Sequence, residues 1–244
     1  MNRMPVCQIV SAILIVAIVV SPLQAAQIAD IKVVTEESFP INYTDESNQE
    51  MTGFATDYLL HVLEQSEIDY SINSYTWERS FKIANEEPNV LIYSMARTPE
   101  RENDFHWLFE IMTLQYSLYG VESRRDHFKD AEDFRNFQIA LTAGSASLKY
   151  LKEDGYNNIV VAKDYEHLDN LIKHGRIDFV ASSKLALTSF MKKYNYAKDA
   201  FNPYQDLNYV DIDLYYAMSK GSDMQTVTRL KALLQAQKSQ LRLP

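Results

Sequence analysis

The stretch Asn89-Val90-Leu91-Ile92-Tyr93-Ser94-Met95-Ala96-Arg97-Thr98-Pro99-Glu100-Arg101-Glu102 decides how this chain is read. Its apolar first part, Asn89 to Tyr93, reads as a buried strand. Small and hydroxylated residues leave the strand. Thr98-Pro99 then stops it, because proline has no N–H for a ladder and fixes its own φ. The guanidinium groups of Arg97 and Arg101 follow the strand end, which in an open α/β sheet is where ligands bind. A guanidinium there can grip a carboxylate with two parallel hydrogen bonds. The competing reading is a solvated basic turn, with local ion pairs to Glu100 and Glu102.

Upstream of this stretch, strand and helix patterns alternate. Ile31–Thr35 reads as a short strand, and Gly53–Glu64 as a helix with Phe54, Tyr58, Leu59, Val62 and Leu63 at helical spacing. Ile68–Tyr75 alternates like a strand, and Glu78–Glu87 reads as a helix ended by Pro88. This order implies right-handed crossovers and a largely parallel sheet. Downstream, Phe105–Val121 is aromatic and extended, and carries the chain into a second half. There the pattern repeats: strand Phe137–Thr142, helix Ser145–Glu153, strand Ile159–Ala162, helix Tyr165–His174, strand Ile177–Ala181, helix Lys184–Tyr194. Leu207–Met218 is long and extended and can return to the first half, and Thr226–Leu241 reads as a closing amphipathic helix. Two halves with two extended crossings suggest two lobes and a hinge, and a cleft between lobes favours a small ligand.

The first 26 residues differ from the rest. Arg3 is their only charge, Ile9–Val20 is almost purely apolar, and Ser21-Pro22-Leu23-Gln24-Ala25-Ala26 follows. The apolar run is shorter than the roughly 20 residues that span a bilayer. The pattern is that of a secretory signal peptide, with cleavage expected after Ala25 or Ala26. An uncleaved membrane anchor is the alternative. Cys7, the only cysteine, precedes the apolar run, so the expected mature chain has none and is held by an ordinary core. Net charge is −9, or −10 without Arg3, and that acidity disfavours nucleic acid as a partner. A local arginine can still reverse the field inside a cleft.

Seven motifs, in order, resemble a known group. They are Val33-Val34-Thr35-Glu36-Glu37-Ser38-Phe39-Pro40, Gly53-Phe54-Ala55-Thr56-Asp57, Trp77-Glu78-Arg79, Arg97-Thr98-Pro99-Glu100-Arg101, Ala143-Gly144-Ser145, Gly175-Arg176-Ile177-Asp178 and Tyr216-Ala217-Met218-Ser219-Lys220-Gly221-Ser222. Together they resemble the extracytoplasmic solute-binding proteins of the polar amino acid type, bacterial family 3, over nearly all of the expected mature chain. The resemblance implies an α/β fold of the periplasmic-binding-protein-like type II, with two α/β lobes joined by a two-segment hinge. Residues 27–112 and 213–244 are expected to form lobe 1, and 113–212 lobe 2. It implies a periplasmic location, a small-molecule ligand that is an amino acid or other carboxylate, and transport with an inner-membrane permease. In the runner-up reading a membrane sensor takes the permease's place.

The resemblance also implies roles residue by residue. Arg101 matches the arginine that binds the ligand's α-carboxylate, and Phe39 and Trp77 match aromatic walls. Glu36 matches an acidic or polar position at the end of the first strand. Ser94 and Ala96 match contacts beside the arginine. Ala143, Gly144 and Ser145 match a second-lobe turn whose amides close on the carboxylate. Ser182 and Ser183 match the place where an Asp or Glu usually holds the ligand's amino group. A buried ammonium without a counter-charge is unfavourable by several kcal/mol. Either Glu36 or Glu37 compensates, or the ligand is not an ordinary α-amino acid.

Catalysis finds little support in the residues. His61, His106, His127, His167 and His174 lack metal-like spacing, and no Gly-x-Ser-x-Gly elbow or phosphate loop is present. No cofactor, metal or catalytic residue is expected. A third reading is a dehydratase-type enzyme on the same fold, with Glu36 or Glu37 as general acid. Arg79 and Arg97 read as second anion contacts or, more simply, as solvated residues. The tyrosine-rich segment Tyr204–Tyr216 reads as a hinge strand rather than a binding surface.

Overall fold

Apolar runs bounded by turn residues form the strands, and stretches of helical period cover them. The computed structural model describes residues 30–243. The expected signal segment, residues 1–26, lies outside the described residues. The first half contains β1 (Ile31–Thr35), β2 (Tyr43–Thr44), β3 (Met51–Thr52), α1 (Phe54–Ser66), β4 (Tyr70–Ser74), α2 (Trp77–Glu86) and β5 (Val90–Ala96). The long strand β6 (Phe105–Val121) leads through a 3-10 turn, Glu122–His127, to the second half. That half contains β7 (Ile139–Thr142), α3 (Ser147–Glu153), β8 (Ile159–Ala162), α4 (Tyr165–Lys173), β9 (Phe179–Ser183) and α5 (Lys184–Lys193). The long strand β10 (Phe201–Ser219) returns the chain, and α6 (Met224–Ala236) closes it.

Eight strands make one sheet in the order β4-β1-β5-β10-β6-β9-β7-β8. β1 is parallel to β4 and β5, and β7 is parallel to β8 and β9. Between these triplets, β6 and β10 run antiparallel to each other and to β9 and β5. The central parallel strand β5 is covered on both faces, which is why it opens on Val90, Leu91, Ile92 and Tyr93, all buried. One buried apolar cluster runs from Leu59 and Leu230 through Leu108, Leu114, Leu207 and Ile212 to Leu141 and Phe179. Buried tyrosines tie the first half together. Tyr216 Oη donates to Ala55 O at 2.7 Å, Tyr93 Oη bonds Thr56 Oγ1 at 2.8 Å, and the Tyr93 and Tyr216 rings stack.

Local chemistry explains where the element bounds depart from the periodicity. The strand expected over Ile68–Tyr75 starts at Tyr70, because Ser66 Oγ holds the Ile68 amide at 3.1 Å in the turn after α1. The last helix starts at Met224 because Asp223 caps it, accepting from Thr226 N at 2.8 Å. It ends at Ala236, and a 3-10 turn, Lys238–Gln240, follows. The strand expected over Ile177–Ala181 begins two residues later, at Phe179. The Asp178 carboxylate there accepts from Gln138 N and Arg124 Nε. The β2–β3 hairpin was not legible, since two-residue strands carry no period.

Two irregularities shape what the sheet presents. Ile92 pairs with Ala217 and Met95 with Tyr215, so Tyr93 and Ser94 stand opposite Tyr216 alone. Ser94 has φ 57, and this bulge re-aims its side chain. In the long pair, Asp206 faces Ser117 and Asp211 faces Gln115, so residues 207–210 stand opposite Tyr116 alone. Pro203 sits beside a further register shift, where β10 pairs only with β6.

At Gly53, φ is 110 and a Cβ would lie 2.5 Å from Ile41 O. Gly53→Ala is expected to lower the unfolding free energy by roughly 2–4 kcal/mol in urea denaturation. Gly221→Ala, whose added carbon would come no nearer than 3.7 Å to another atom, serves as the control and should change little.

Candidate functional site

All six parallel strands aim their C-terminal ends at one space, a cleft of about 970 Å³. Glu36 and Glu37 follow β1, Tyr75 to Glu78 follow β4, and Ser94, Ala96 and Arg101 come from the end of β5. From the other half come Thr142 to Ala146 after β7, Lys163 to Glu166 after β8, and Val180 to Ser182 from β9. Leu114, Tyr116, Ile212 and Leu214 of the long strands form the floor.

The two guanidinium groups of the opening stretch part company. Arg97 forks onto Glu102, with Nε and Nη2 at 2.8 and 2.6 Å from the carboxylate oxygens. It lies against the Trp107 and Tyr215 rings and does not line the cleft. Glu100 pairs across the cleft mouth with Lys149. Arg101 lines the cleft, half-buried, and forms no ion pair among the described residues. Its Nη1 donates to Ala96 O at 3.1 Å, and its guanidinium carbon stands 4.8 Å from the Trp77 ring centre and 5.2 Å from that of Phe81. Burial pushes its pKa down while Glu100 and Glu36 push back. A guanidinium stays charged in such surroundings.

Glu36 is the other desolvated charge. Its backbone carbonyl accepts from Asn42 Nδ2, and Asn42, fully buried, also bonds Thr35 Oγ1 at 3.0 Å and accepts from Ser94 Oγ. That network fixes where the β1 and β5 ends leave the sheet. The Glu36 carboxylate itself takes no hydrogen bond among the described residues. Burial raises its pKa from 4.5 to about 7; Glu78 adds to the rise and Arg101 opposes it. Glu37 is exposed, and its carboxylate is occupied by Thr44 N at 2.9 Å and Thr44 Oγ1 at 2.6 Å.

The second half presents hydroxyls and backbone. Gly144 has φ 77, and a Cβ there would lie 2.6 Å from Trp77 Cδ1, so the turn touches the first half's aromatic ring. Ala143 N donates to Ala162 O and Ser145 N to Thr142 O. The Gly144 amide is thus the one of the three with no acceptor among the described residues. Helix α3 begins only at Ser147 and is seven residues long, so the turn acts through an amide rather than as a helix start. Ser145 Oγ bonds Ser147 Oγ at 2.6 Å. Ser182 lines the cleft, whereas Ser183 is buried and caps α5, accepting from Ala186 N at 3.2 Å. Tyr165 is pushed up to about 12 by burial, then by Tyr116, Glu36 and Tyr194. Tyr116 is raised by burial against a hydrogen bond with Ser145, and Glu36 adds to the rise.

Glu36, Trp77, Ser94, Ala96, Arg101, Gly144, Ser145 and Ser182 therefore share this cleft. Phe39 is not among its lining: its ring packs on Tyr43 at 4.8 Å, with Lys192 Nζ 5.3 Å away from the second half. Arg79 stacks on Tyr75 at 4.1 Å and is absent from the lining as well. Tyr116, Glu78 and Tyr165 were missed. Tyr165 was within reach, since it follows the strand Ile159–Ala162 as Arg101 follows its own. Among the described residues no group of His, Cys, Asp or Glu could hold a metal ion, and no helix is long and apolar enough to cross a membrane.

The family model for bacterial extracellular solute-binding proteins, family 3, matches residues 31–205. No curated protein matches the sequence. Among solved structures, a histidine kinase sensor domain similar to periplasmic binding proteins aligns with TM-score 0.73 at 15% identity, over 87% of this chain and 91% of that one. The arginine-, lysine-, histidine-binding protein ArtJ from Geobacillus stearothermophilus aligns with TM-score 0.70 at 14% identity, over 86% and 90%. An ancestral amino acid-binding protein, a precursor of cyclohexadienyl dehydratase, aligns with TM-score 0.68 at 19% identity, over 86% and 90%. At such identities these likenesses speak to the fold, which is that of periplasmic binding proteins.

The pKa of Glu36 has a consequence for stability. The unfolded chain ionises it near 4.5 and the folded chain near 7, so the folded state holds the proton more tightly. Stability from the neutral acid is present below 4.5 and is lost as pH rises to about 7. Glu36→Gln, which cannot ionise, should therefore be more stable than the parent at pH 8, by roughly 1–3 kcal/mol, and equal to it near pH 4.5. Urea midpoints at the two pH values measure this. A variant weaker than the parent at pH 8 would refute the burial argument.

Proposed function

The chain belongs to the bacterial extracellular solute-binding proteins, family 3, and on that premise we propose that it captures a small carboxylate-bearing ligand between its halves, in the periplasm, for delivery to an inner-membrane permease. The observation that carries this reading is Arg101: a half-buried guanidinium without a carboxylate partner among the described residues, braced on Trp77, facing a cleft built from strand ends. A ligand carboxylate supplies the missing anion and can take two parallel N–H donors. The Gly144 amide and the Ser145 and Ser182 hydroxyls complete the enclosure from the other side. Trp77 covers the ligand's apolar part.

Contacts across the mouth support lobe closure as the mechanism. Trp77 meets the Gly144 turn, Glu100 pairs with Lys149, and Lys192 lies over Phe39. The hinge in this proposal lies near Ile111–Gln115 and Val210–Leu214, dividing lobe 1 (27–112 and 213–244) from lobe 2 (113–212). The register is lost at the edge of these segments, where residues 207–210 stand opposite Tyr116, while Met112 to Gln115 stay paired with Asp211 to Leu214. A ligand that touches both lobes stabilises the closed arrangement by its differential affinity.

A thermal-shift screen of amino acids, dicarboxylates and small peptides should find a stabilising ligand, because stabilisation follows mass action. Arg101→Ala should then weaken binding by about 2–4 kcal/mol, or 30- to 1,000-fold, and remove the shift. An undiminished shift would rule out the clamp. Gly144→Ala should hold the halves apart, giving a larger ligand-bound radius of gyration in small-angle scattering. The double variant Trp77→Ala, Gly144→Ala relieves the collision and should close again.

A further inference from the structure

We infer that the mouth of the cleft carries a two-point latch, Glu100 on Lys149 and Lys192 on Phe39, which sets how far the halves are closed before any ligand arrives and makes that closure sensitive to salt. The inference goes beyond ligand capture and rests on the closure of the halves proposed above. Among the described residues, Glu100–Lys149 is the one ion pair that joins the two halves; the others, such as Lys32–Glu87, Arg97–Glu102 and Arg135–Asp154, each lie within one half. Glu100 sits in the turn after β5 that also carries Arg101, and Lys149 sits on α3 just beyond the Gly144 turn. The pair therefore ties together the two turns that face each other across the ligand space.

The second point lies elsewhere on the rim. Lys192, in the last turn of α5, holds its Nζ 5.3 Å from the centre of the Phe39 ring. An ammonium over an aromatic face is attracted by the ring's quadrupole. The Tyr43 ring backs Phe39 at 4.8 Å, and Glu37 holds the next residue, Thr44, by two hydrogen bonds. Phe39 is 39% exposed, and this contact gives a large apolar ring on the rim a use. In the sheet β5 lies next to the long strands and β1 lies one strand further out. Contacts after both strands resist twisting of the halves as well as opening.

The charge distribution favours the same closure. Residues 33–78 contain no lysine or arginine, and Glu36, Glu37 and Glu78 of that stretch line the cleft. On the other side α5 ends on Lys192 and Lys193, and Lys193 lines the cleft. The Glu100 carboxyl is held down at about 2, first by its hydrogen bond with Lys149. The pair thus stays ionised at ordinary pH, and salt rather than protons loosens it. Counter-ions reach these exposed side chains, since the screening length falls from about 30 Å at 0.01 M salt to about 3 Å at 1 M. A pair of this kind shifts an equilibrium by roughly two- to fivefold. Both contacts exist only where the halves meet, so the whole shift falls on the closed-to-open ratio. The affinity for any ligand that needs the closed arrangement follows that ratio.

The test is small-angle scattering on the full chain without ligand, at about 0.01 M and 1 M sodium chloride. The parent should have the larger radius of gyration at high salt. Glu100→Lys should show the larger radius already at low salt, and the exchanged pair Glu100→Lys, Lys149→Glu should restore the smaller one. The variant Glu100→Gln, Lys192→Ala should lose most of the salt response. Lys32→Glu, which breaks a pair inside the first half, is the control and should behave as the parent does. Equal radii for the parent and Glu100→Lys at low salt overturn the inference, as does an exchanged pair that fails to restore the parent's radius. A full salt response in Glu100→Gln, Lys192→Ala overturns it too. Ligand capture has its own readout, the loss of binding in Arg101→Ala, so either reading can fail while the other stands.

Discussion

The antiparallel pairing of β6 with β10 is the constraint on which the molecule depends. Each strand is long enough to belong to both halves, 17 and 19 residues, so one sheet passes through the middle of the structure. The parallel triplets attach to its two ends with their C-terminal edges facing each other. Carbonyl ends of parallel strands are where an α/β sheet leaves side chains free for ligands. Two such edges, opposed, make a cavity with polar walls and an apolar floor. The shared buried cluster beneath it means that the halves are not two globules on a linker. They are one core with a local break in its hydrogen-bond ladder.

Within that frame the electrostatics are asymmetric. The ion pairs of the rim are spent on geometry: Arg97 on Glu102, Glu100 on Lys149. Exposed pairs of that kind contribute little to stability. The charges that matter are those with no ion-pair partner among the described residues, the half-buried Arg101 and Glu36. Each costs desolvation energy that the fold does not recover by itself. Such an arrangement is unfavourable in a purely structural region and favourable where a solute of matching charge completes it.

Much of this was legible in the residues, for reasons that differ by element. Arg101 could be placed because a proline ends its strand and a known rule says what lies beyond. The long strand Phe105–Val121 and the short strand Ile159–Ala162 were read to the residue, since their β-branched and aromatic composition favours a strand. Glu36 and Glu37 could not be told apart: neighbours on an extended chain point to opposite sides, and which side is the cleft depends on register. The same parity separates Ser182 from Ser183. Phe39 stands outside the lining because the Ser38–Asn42 bridge turns the chain and carries the ring out to the rim. The bulge at Ser94 needs Tyr216, 122 positions away, and no local pattern announces a partner so distant.

Trp77 touches the guanidinium on one side and the glycine turn on the other, and the chain has one other tryptophan, Trp107, stacked beside Arg97 away from the cavity. The indole therefore sits at the seam where the two halves meet. In the closure proposed above, its emission colour and quenching would follow the separation of those halves, with Trp107 as a steady background. That closure thus comes with its own optical gauge, and no dye needs to be attached to follow it.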